Sequence, residues 1–380
     1  MEMPKPMKGW NTWNTFGANI NDALIRESAE AIAKSGLKDA GYEYIVIDDC
    51  WSLKDRDAEG RLVADPAKFP HGMKALADYI HSLGFKFGMY SCVGTKTCAG
   101  YPGSFGHEFQ DAQTFADWGV DFLKYDYCYK PAVIDGRLLY NRMGMALKAT
   151  GRDIVFSACS WGVDDTAKWI RSTGADMWRS TGDIVDSWAS VKSLFERQRE
   201  ILPYGGIGCF NDMDMLIVGM NGKGNVGVGG CTLEEYRTHF TLWCFMSSPL
   251  MVGCDVRTMD DEVRDMLTNR EVLAIQADAQ CQPFPATKYM WGDDTLAWAK
   301  QLSDGGYALV YANMTDNDQL VNTNWWDLGL PPSCGFAFAV RDVWAAQDLG
   351  VFEADCPLPV KPHECRLLRL SLVPSKGAKA

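Results

Sequence analysis

The chain contains 380 residues, of which 47% are apolar and 12% aromatic. This composition supports a large packed core, and the length suits a barrel of ~250 residues followed by a second domain. The formal net charge of −12 argues against nucleic acid or an acidic membrane surface as a partner. The sequence lacks both the ~20-residue apolar run of a membrane span and the apolar core of a signal peptide. We therefore expect no nucleic-acid or membrane partner, and either a cytoplasmic protein or one whose leader has been removed.

Helix and strand patterns alternate through the first 250 residues. Asn21 can cap a helix whose apolar positions run from Ile25 to Gly36, and a capping box at Thr232 opens a helix through Ser247. The elements predicted between them are a strand ending at residues 48–49, a helix at 72–83, a strand at 85–91, a helix at 111–118, a strand to 125, a helix at 137–149, a strand at 154–157, a helix at 164–171, a strand at 176–178, a helix at 187–200, a weaker strand at 206–209 and the eighth strand at 215–218. Crossovers of this length imply parallel strands, so residues 1–282 are predicted to form a (β/α)₈ TIM barrel.

The pattern changes near residues 281–285. Runs with alternating hydrophobicity follow at 295–302 and 307–313, joined by a hairpin-type turn at 303–306, and similar runs lie at 336–344 and 365–372. Residues 283–380 are therefore predicted to form an antiparallel β-sandwich domain, and none of its motifs indicates catalysis.

Acidic residues end several of the apolar runs in the predicted barrel. They are Asp48 and Asp49, Asp121 and Asp126, Asp176 and Asp183, and Asp212 and Asp214. The carboxyl ends of parallel barrel strands meet around one pocket, which is where barrel enzymes carry their active sites. Several carboxylates with tryptophan neighbours and few histidines favour sugar chemistry, in which one acid attacks and another protonates.

Two of these carboxylates fit catalytic roles, and each also has a structural interpretation. Lys124 lies two residues before Asp126 on the same strand face, so it either keeps a nucleophile ionised or forms a structural ion pair. Asp183 either acts as a general acid, which requires a neighbourhood that raises its pKa, or caps a helix-entry turn. Arg179 can donate a forked pair of hydrogen bonds to a sugar hydroxyl.

The pair Asp48–Asp49 also leaves two interpretations open. Adjacent strand residues point to opposite faces, so two functional acids here require that the strand is ending. The carboxylates can accept hydrogen bonds from sugar hydroxyls, or they can bind a metal together with Asp212 and Asp214. We favour the sugar interpretation and predict no metal.

Two other patterns are weaker. Residues 222–227 match G-x-G-x-x-G, but they follow seven strands instead of opening the first βαβ unit, so no dinucleotide cofactor is predicted. The thirteen cysteines are scattered, which favours buried free thiols over a disulfide framework.

Together these segments resemble family 27 of the glycoside hydrolases, the melibiase-type α-galactosidases and α-N-acetylgalactosaminidases. The resemblance rests on the motifs GWNTWN at 9–14, IDDCW at 47–51, TCAGYPGS at 97–104, DAQTFADWGV at 111–120, LKYD at 123–126, WR at 178–179 with Asp183, and DML at 214–216. The family fold is a (β/α)₈ barrel followed by an antiparallel β-domain, and the family activity is retaining hydrolysis without a cofactor. The implied substrate is a terminal α-galactoside of an oligosaccharide or glycoconjugate.

The resemblance also implies a role for each site residue. Asp126 corresponds to the nucleophile and Asp183 to the acid/base. The residues that bind the sugar are then Trp13, Asp48 and Asp49 on the 4- and 6-hydroxyls, Tyr90, Lys124, Cys159, Ser160, Trp161, Arg179 and Asp214. It further implies that Cys98 and Cys128 keep a bridge pairing of the family, with their oxidation state left open, and it leaves Cys50 as a reduced, buried thiol.

Departures from the family pattern concern specificity. Ser160 stands where galactosidases often carry glutamate near the 2-substituent, which opens space for an acetamido group, but Val163 is expected to crowd its methyl. We expect galactose to be preferred over N-acetylgalactosamine, with β-L-arabinopyranosidase activity as a further alternative. Residues 221–231 look like an insertion beside the site. A homo-oligomeric assembly is left open.

Overall fold

The computed structural model describes residues 3–286, 297–331 and 334–375. The chain forms two compact units. One contains Pro6–Gly230 and Pro249–Thr268, and the other contains Cys231–Ser248 and the chain from Asn269 onward. Within the described residues, no helix is both long and apolar enough to span a membrane.

The first unit is built on an eight-stranded parallel sheet within the described part of the chain. Its strands are β1 (Lys8–Asn11), β2 (Tyr44–Val46), β3 (Lys86–Cys92), β4 (Phe122–Asp126), β5 (Val155–Cys159), β6 (Met177–Arg179), β7 (Phe210–Asp212) and β8 (Leu250–Val252). The sheet order is β8-β1-β2-β3-β4-β5-β6-β7. Leu216, just beyond β7, forms a parallel bridge to Val252 in β8 and brings the two sheet ends together. The predicted (β/α)₈ barrel is confirmed.

Helices follow most strands of this unit. They are Trp13–Phe16, Asp22–Ser35, Gly72–Ser82, Glu108–Trp118, Gly136–Ala149, Thr166–Trp169, Trp188–Glu196, Gln198–Ile201 and Asp261–Leu267, with 3₁₀ turns at Ile170–Thr173, Leu202–Tyr204 and Val256–Thr258. The Asn21 side chain accepts a hydrogen bond from the Leu24 backbone amide, as predicted, and Gly36 ends this helix in the left-handed region. The helix buries Ile25, Ala29 and Ile32, which is the spacing read from the sequence.

Two predicted strands were wrong. Residues 206–209 form a tight turn with an antiparallel bridge between Gly206 and Cys209, because both Gly206 and Gly208 take positive φ values; the strand is Phe210–Asp212. Residues 215–218 are buried and apolar like a strand, but they enter the ladder only at Leu216. The eighth strand is Leu250–Val252, which follows the Thr232 helix. The helix predicted at 187–200 breaks at Arg197.

The second unit carries the antiparallel sheets. Its strands are Pro283–Pro285, Ala297–Gln301, Tyr307–Ala312, Gln319–Val321, Phe336–Asp342, Gln347–Phe352, Leu358–Val360 and Cys365–Pro374, and its helices are Leu233–Phe245 and Arg270–Gln276, with a 3₁₀ turn at Trp325–Leu328. Described residues form a six-stranded antiparallel sheet and a two-stranded one, around a core that includes Leu309, Trp325 and Phe338. The predicted antiparallel domain is confirmed, while residues 295 and 296 of its first predicted strand lie outside the described residues.

A buried ion pair fixes the loops beside the barrel rim. Arg56 binds both carboxylate oxygens of Asp111 at 2.7 Å and also donates to the backbone carbonyls of Gly60 and Gly103. The Asp111 side chain is fully buried. Removing either partner therefore leaves a buried charge without compensation.

We expect Asp111→Ala to lower the free energy of unfolding by about 3–5 kcal/mol, because the largely buried Arg56 cation loses its counter-charge. Asp78→Ala is the matched control, since it removes an exposed helix pair with Lys74 that is worth at most ~1 kcal/mol. Urea unfolding at pH 7 measures both. Equal losses in the two variants would contradict the assignment.

Candidate active site

A cavity of about 200 Å³ opens at the carboxyl ends of the barrel strands. Asp126 ends β4, Arg179 ends β6, and Asp48 and Asp49 follow β2 after Ile47. The residues that line the cavity are Trp13, Asn14, Asp48, Asp49, Tyr90, Cys98, Lys124, Asp126, Trp161, Arg179, Asp183, Ile184, Val185, Asp214, Met215 and Val226. Asp48, Asp49, Asp126, Asp183 and Asp214 thus meet around one site, as the sequence predicted. Asp121 and Asp176 instead precede β4 and β6, at the opposite strand ends, and Asp212 is not among the lining residues.

Asp126 is fixed at both carboxylate oxygens. Oδ1 accepts a hydrogen bond from the Tyr127 amide at 2.9 Å, and Oδ2 accepts one from the Tyr90 hydroxyl at 3.1 Å. Burial raises the pKa of Asp126 to about 6, although the nearby Lys124 cation lowers it. Asp126 is therefore rigid and ionised above pH about 6.

Lys124 pairs with Asp48. Its Nζ lies 2.7 Å from Asp48 Oδ2, and Asn11 Nδ2 donates to the same oxygen at 2.8 Å. Burial lowers the pKa of Lys124, but Asp48, Asp126 and the other acidic groups around it together outweigh this effect, and the net pKa is raised. Lys124 therefore stays a cation that pairs with Asp48 and lowers the pKa of the nearby Asp126.

Asp49 is held by the loop on the other side of the cavity. Its Oδ1 accepts from the Cys50 amide at 2.7 Å and its Oδ2 from the Ala99 amide at 2.9 Å. Burial raises its pKa. Because β2 ends at Val46, the side chains of Asp48 and Asp49 both line the cavity, as two functional acids require.

A disulfide borders the same loop. Cys98 and Cys128 are bonded, with a Cα–Cα distance of 5.1 Å, and Cys98 lines the cavity. This is the bridge that the family resemblance implied. Cys50 is a buried free thiol, as expected, and burial raises its pKa to about 11.

Arg179 joins two carboxylates at the opposite wall. Its Nη2 lies 2.9 Å from Asp183 Oδ1, and its Nη1 lies 2.9 Å from Asp214 Oδ1. Asp214 Oδ2 also accepts from the Ile184 amide at 2.7 Å. Burial raises the pKa of Asp214. Arg179 thus couples the β6 end to the segment that follows β7.

Asp183 differs from the other acids because its side chain is 67% exposed. Partial burial raises its pKa, but the cations Arg179 and Lys124 together outweigh this effect and the net pKa is lowered. The expectation of a neighbourhood that raises this pKa was therefore wrong, because Asp183 lies beside Arg179 and is held ionised.

Known proteins match both units. A family model described as Alpha galactosidase A matches residues 5–278, and one described as Alpha galactosidase C-terminal beta sandwich domain matches residues 292–370. The chain belongs to family 27 of the glycoside hydrolases, the α-galactosidase family. An α-galactosidase from Cyamopsis tetragonoloba is 42% identical over 367 residues, which cover 96% of this chain and 86% of the relative.

Solved structures of this family have the same fold. The structure of α-galactosidase I from Mortierella vinacea has a TM-score of 0.88 at 35% identity and covers 96% of each chain. A Saccharomyces cerevisiae α-galactosidase with raffinose has a TM-score of 0.86 at 28% identity, with 97% of this chain and 98% of that chain covered. This chain is accordingly a glycoside hydrolase of the α-galactosidase family.

Ser160 does not have the position in this hydrolase that the sequence suggested. It is fully buried and donates its hydroxyl hydrogen to Thr166 Oγ1 at 2.7 Å, and Val163 is 43% exposed. Trp161 instead takes a positive φ of 56°, packs edge-on against Tyr127 and lines the cavity. Cys159 is also buried and supports Arg179, which donates to its Sγ at 3.7 Å.

The alternative of an acidic metal site depends on whether the four carboxylates converge. Among the described residues, the group of three or more candidate ligands within 4.8 Å consists of Cys98, Asp126 and Cys128, and the two sulfurs are already bonded to each other. Asp48, Asp49, Asp212 and Asp214 are held by Lys124, Arg179 or backbone amides. Their arrangement fits hydrogen bonding to hydroxyl groups.

Several lining residues were missed by sequence reasoning. Asn14, Cys98, Ile184, Val185, Met215 and Val226 line the cavity. The Asn14 Nδ2 is buried and has no hydrogen-bond partner among the described residues, so it can donate to a bound hydroxyl. Asn14 lies in the GWNTWN motif, and this motif could have identified it as a site residue. The sequence contains no comparable motif that marks the apolar lining residues.

Proposed function

We propose that this enzyme hydrolyses terminal α-linked galactose from an oligosaccharide or glycoconjugate by double displacement, with Asp126 as nucleophile and Asp183 as acid/base. The observation that supports the proposal is that these two carboxylates share one cavity in opposite environments. Asp126 is 6% exposed and fixed at both oxygens, whereas the Asp183 side chain is 67% exposed. A nucleophile needs the first environment and a proton-exchanging group needs the second.

The polar end of the cavity supports galactose as the bound sugar. The carboxylates of Asp48 and Asp49 and the Lys124 ammonium are buried or nearly so, and they are positioned by further hydrogen bonds. Buried acceptors of this kind penalise a sugar that lacks the matching hydroxyl, because the protein groups then stay unpaired. A cavity of about 200 Å³ suits one terminal sugar and an exo-acting enzyme.

The protonation of the pair is consistent with catalysis despite the lowered pKa of Asp183. Between that lowered pKa and the pKa of Asp126 at about 6, the two carboxylates carry one proton. The reaction needs the same single proton on the two carboxylates, but located on Asp183, so that Asp126 is ionised. Since interacting sites titrate as a pair, the rate follows the population of the singly protonated pair.

The first prediction concerns the substrate. We expect 4-nitrophenyl α-galactoside to be cleaved with a higher kcat/KM than the α-N-acetylgalactosaminide or the β-L-arabinopyranoside. Val163→Ala should leave this ratio unchanged, because Val163 faces outward, whereas Trp161→Ala should raise relative activity on the acetamido sugar by opening the wall. Faster cleavage of the α-N-acetylgalactosaminide by the wild-type enzyme would assign the alternative function.

The second prediction concerns the mechanism. In a retaining enzyme the two carboxyl groups act from opposite faces at a spacing of ~5–5.5 Å, so galactose is released first as the α anomer. Asp126→Gly with azide should give β-galactosyl azide, and Asp183→Gly with azide should give α-galactosyl azide. Proton NMR of the first-formed products distinguishes the anomers. Release of β-galactose by the wild-type enzyme would rule out double displacement.

The third prediction concerns pH. Above pH about 6 the pair loses its remaining proton as Asp126 becomes ionised, so kcat/KM on 4-nitrophenyl α-galactoside should fall about tenfold per pH unit. The maximum should lie on the acid side of pH 6. Circular dichroism over the same range controls for unfolding. A kcat/KM that stays constant from pH 6 to 8 would contradict the charge assignment.

A further inference from the structure

The glycine-rich segment 221–230 is bound to the barrel rim by backbone hydrogen bonds on two sides. The Asn225 and Val226 amides donate to the Thr15 and Asn14 carbonyls, each at 3.1 Å. Residues Gly227–Gly230 also pair with Asp186–Ser187 in a short parallel ladder. The segment is therefore a fixed part of the rim.

Asp186 connects this segment to the chain that carries the acid/base. It is fully buried, its Oδ2 accepts from the Gly222 amide at 2.7 Å, and its own amide donates to the Val226 carbonyl at 2.9 Å. Asp183 lies only three residues earlier. The position of Asp183 and the position of Val226 are thus set by the same contacts.

Glycines permit this close approach. Gly224 has φ of +86°, and a Cβ atom there would lie 2.7 Å from Thr15 Cα; a Cβ atom at Gly227 would lie 2.4 Å from the Gly222 carbonyl oxygen. The G-x-G-x-x-G pattern therefore reflects backbone packing at this rim.

The result is an apolar wall beside Asp183. Val185 and Val226 both line the cavity, and Val185 is 38% exposed. The charged groups Asp48, Lys124 and Asp126, which suit the galactose hydroxyls, line the same cavity. They come from strand β4 and from the residues that follow β2, not from the segments that carry the valines. The cavity therefore contains both a set of charged groups and a pair of valines.

We propose that Val185 and Val226, positioned by Asp186 and segment 221–230, form the leaving-group subsite and accept an aryl ring or the apolar face of a second sugar. The inference rests on the proposed function: if Asp183 protonates the glycosidic oxygen, the group bonded to that oxygen must lie beside Asp183. Branched aliphatic side chains there offer contact area without hydrogen bonds, so the subsite selects for shape.

The experiment compares three substrates that share galactose and differ in the leaving group: α-galactosyl fluoride, 4-nitrophenyl α-galactoside and melibiose. We expect Val185→Ala and Val226→Ala each to lower kcat/KM for the nitrophenyl galactoside and melibiose, relative to the fluoride, by ~10-fold, because each removes apolar contacts that only the larger leaving groups make. Val228→Ala, on the same segment but 60% exposed and outside the lining, is the control and should leave the ratio unchanged.

The near-isosteric Val226→Thr tests the same wall while keeping its shape, should the alanine variants unfold. It should lower the same ratio, because a hydroxyl replaces a methyl group against the leaving group. A ratio that stays constant in the folded variants, or an equal loss on galactosyl fluoride, would overturn the inference. If the wild-type enzyme cleaves none of the three substrates, the proposed function fails as well; if it cleaves them and only the ratio is unaffected, the leaving-group subsite alone is wrong.

Discussion

Two buried cations make the acidic site compatible with a folded barrel. Placing several carboxylates in one small cavity costs several kcal/mol for each charge that is left without compensation. Lys124 compensates Asp48 and lies beside Asp126, and Arg179 bridges Asp183 and Asp214. The carboxylates outnumber the cations, and burial, together with this excess of negative charge, raises the pKa of Asp126 to about 6.

Backbone amides also stabilise the negative charge of the carboxylates, and the same kind of hydrogen bond occurs at four aspartates. Asp48, Asp49, Asp126 and Asp214 each accept a hydrogen bond at Oδ1 from the amide of the next residue. This contact orients each carboxylate where regular strand pairing stops and leaves Oδ2 for a neighbour or a ligand. An aspartate at the end of an apolar run is therefore both a strand terminator and a ready acceptor, which explains why the sequence pattern located the site.

The same local signals did not identify which residues form the strands in the last third of the barrel. A three-residue strand such as Leu250–Val252 has no periodicity, so the buried run at 215–218 was an equally good candidate.

The direction of side chains beyond a strand end was also unpredictable from the sequence. Past β5 the alternation of faces stops, and the positive φ of Trp161 turns its indole into the cavity while Ser160 faces Thr166. Family resemblance placed Ser160 near the sugar, but only the backbone conformation shows which neighbour lines the wall.

The unequal exposure of the two proposed catalytic acids follows from their tasks. A nucleophile must be oriented before substrate arrives, so two hydrogen bonds and burial suit Asp126. The acid/base must give a proton to the leaving group and then take one from water in the same position, so it has to remain accessible to solvent. An exposed side chain cannot be held by burial, and its position must come from the backbone. The ladder between Asp186–Ser187 and Gly227–Gly230 holds that backbone, which explains why a segment rich in flexible glycine residues is fixed by so many main-chain hydrogen bonds.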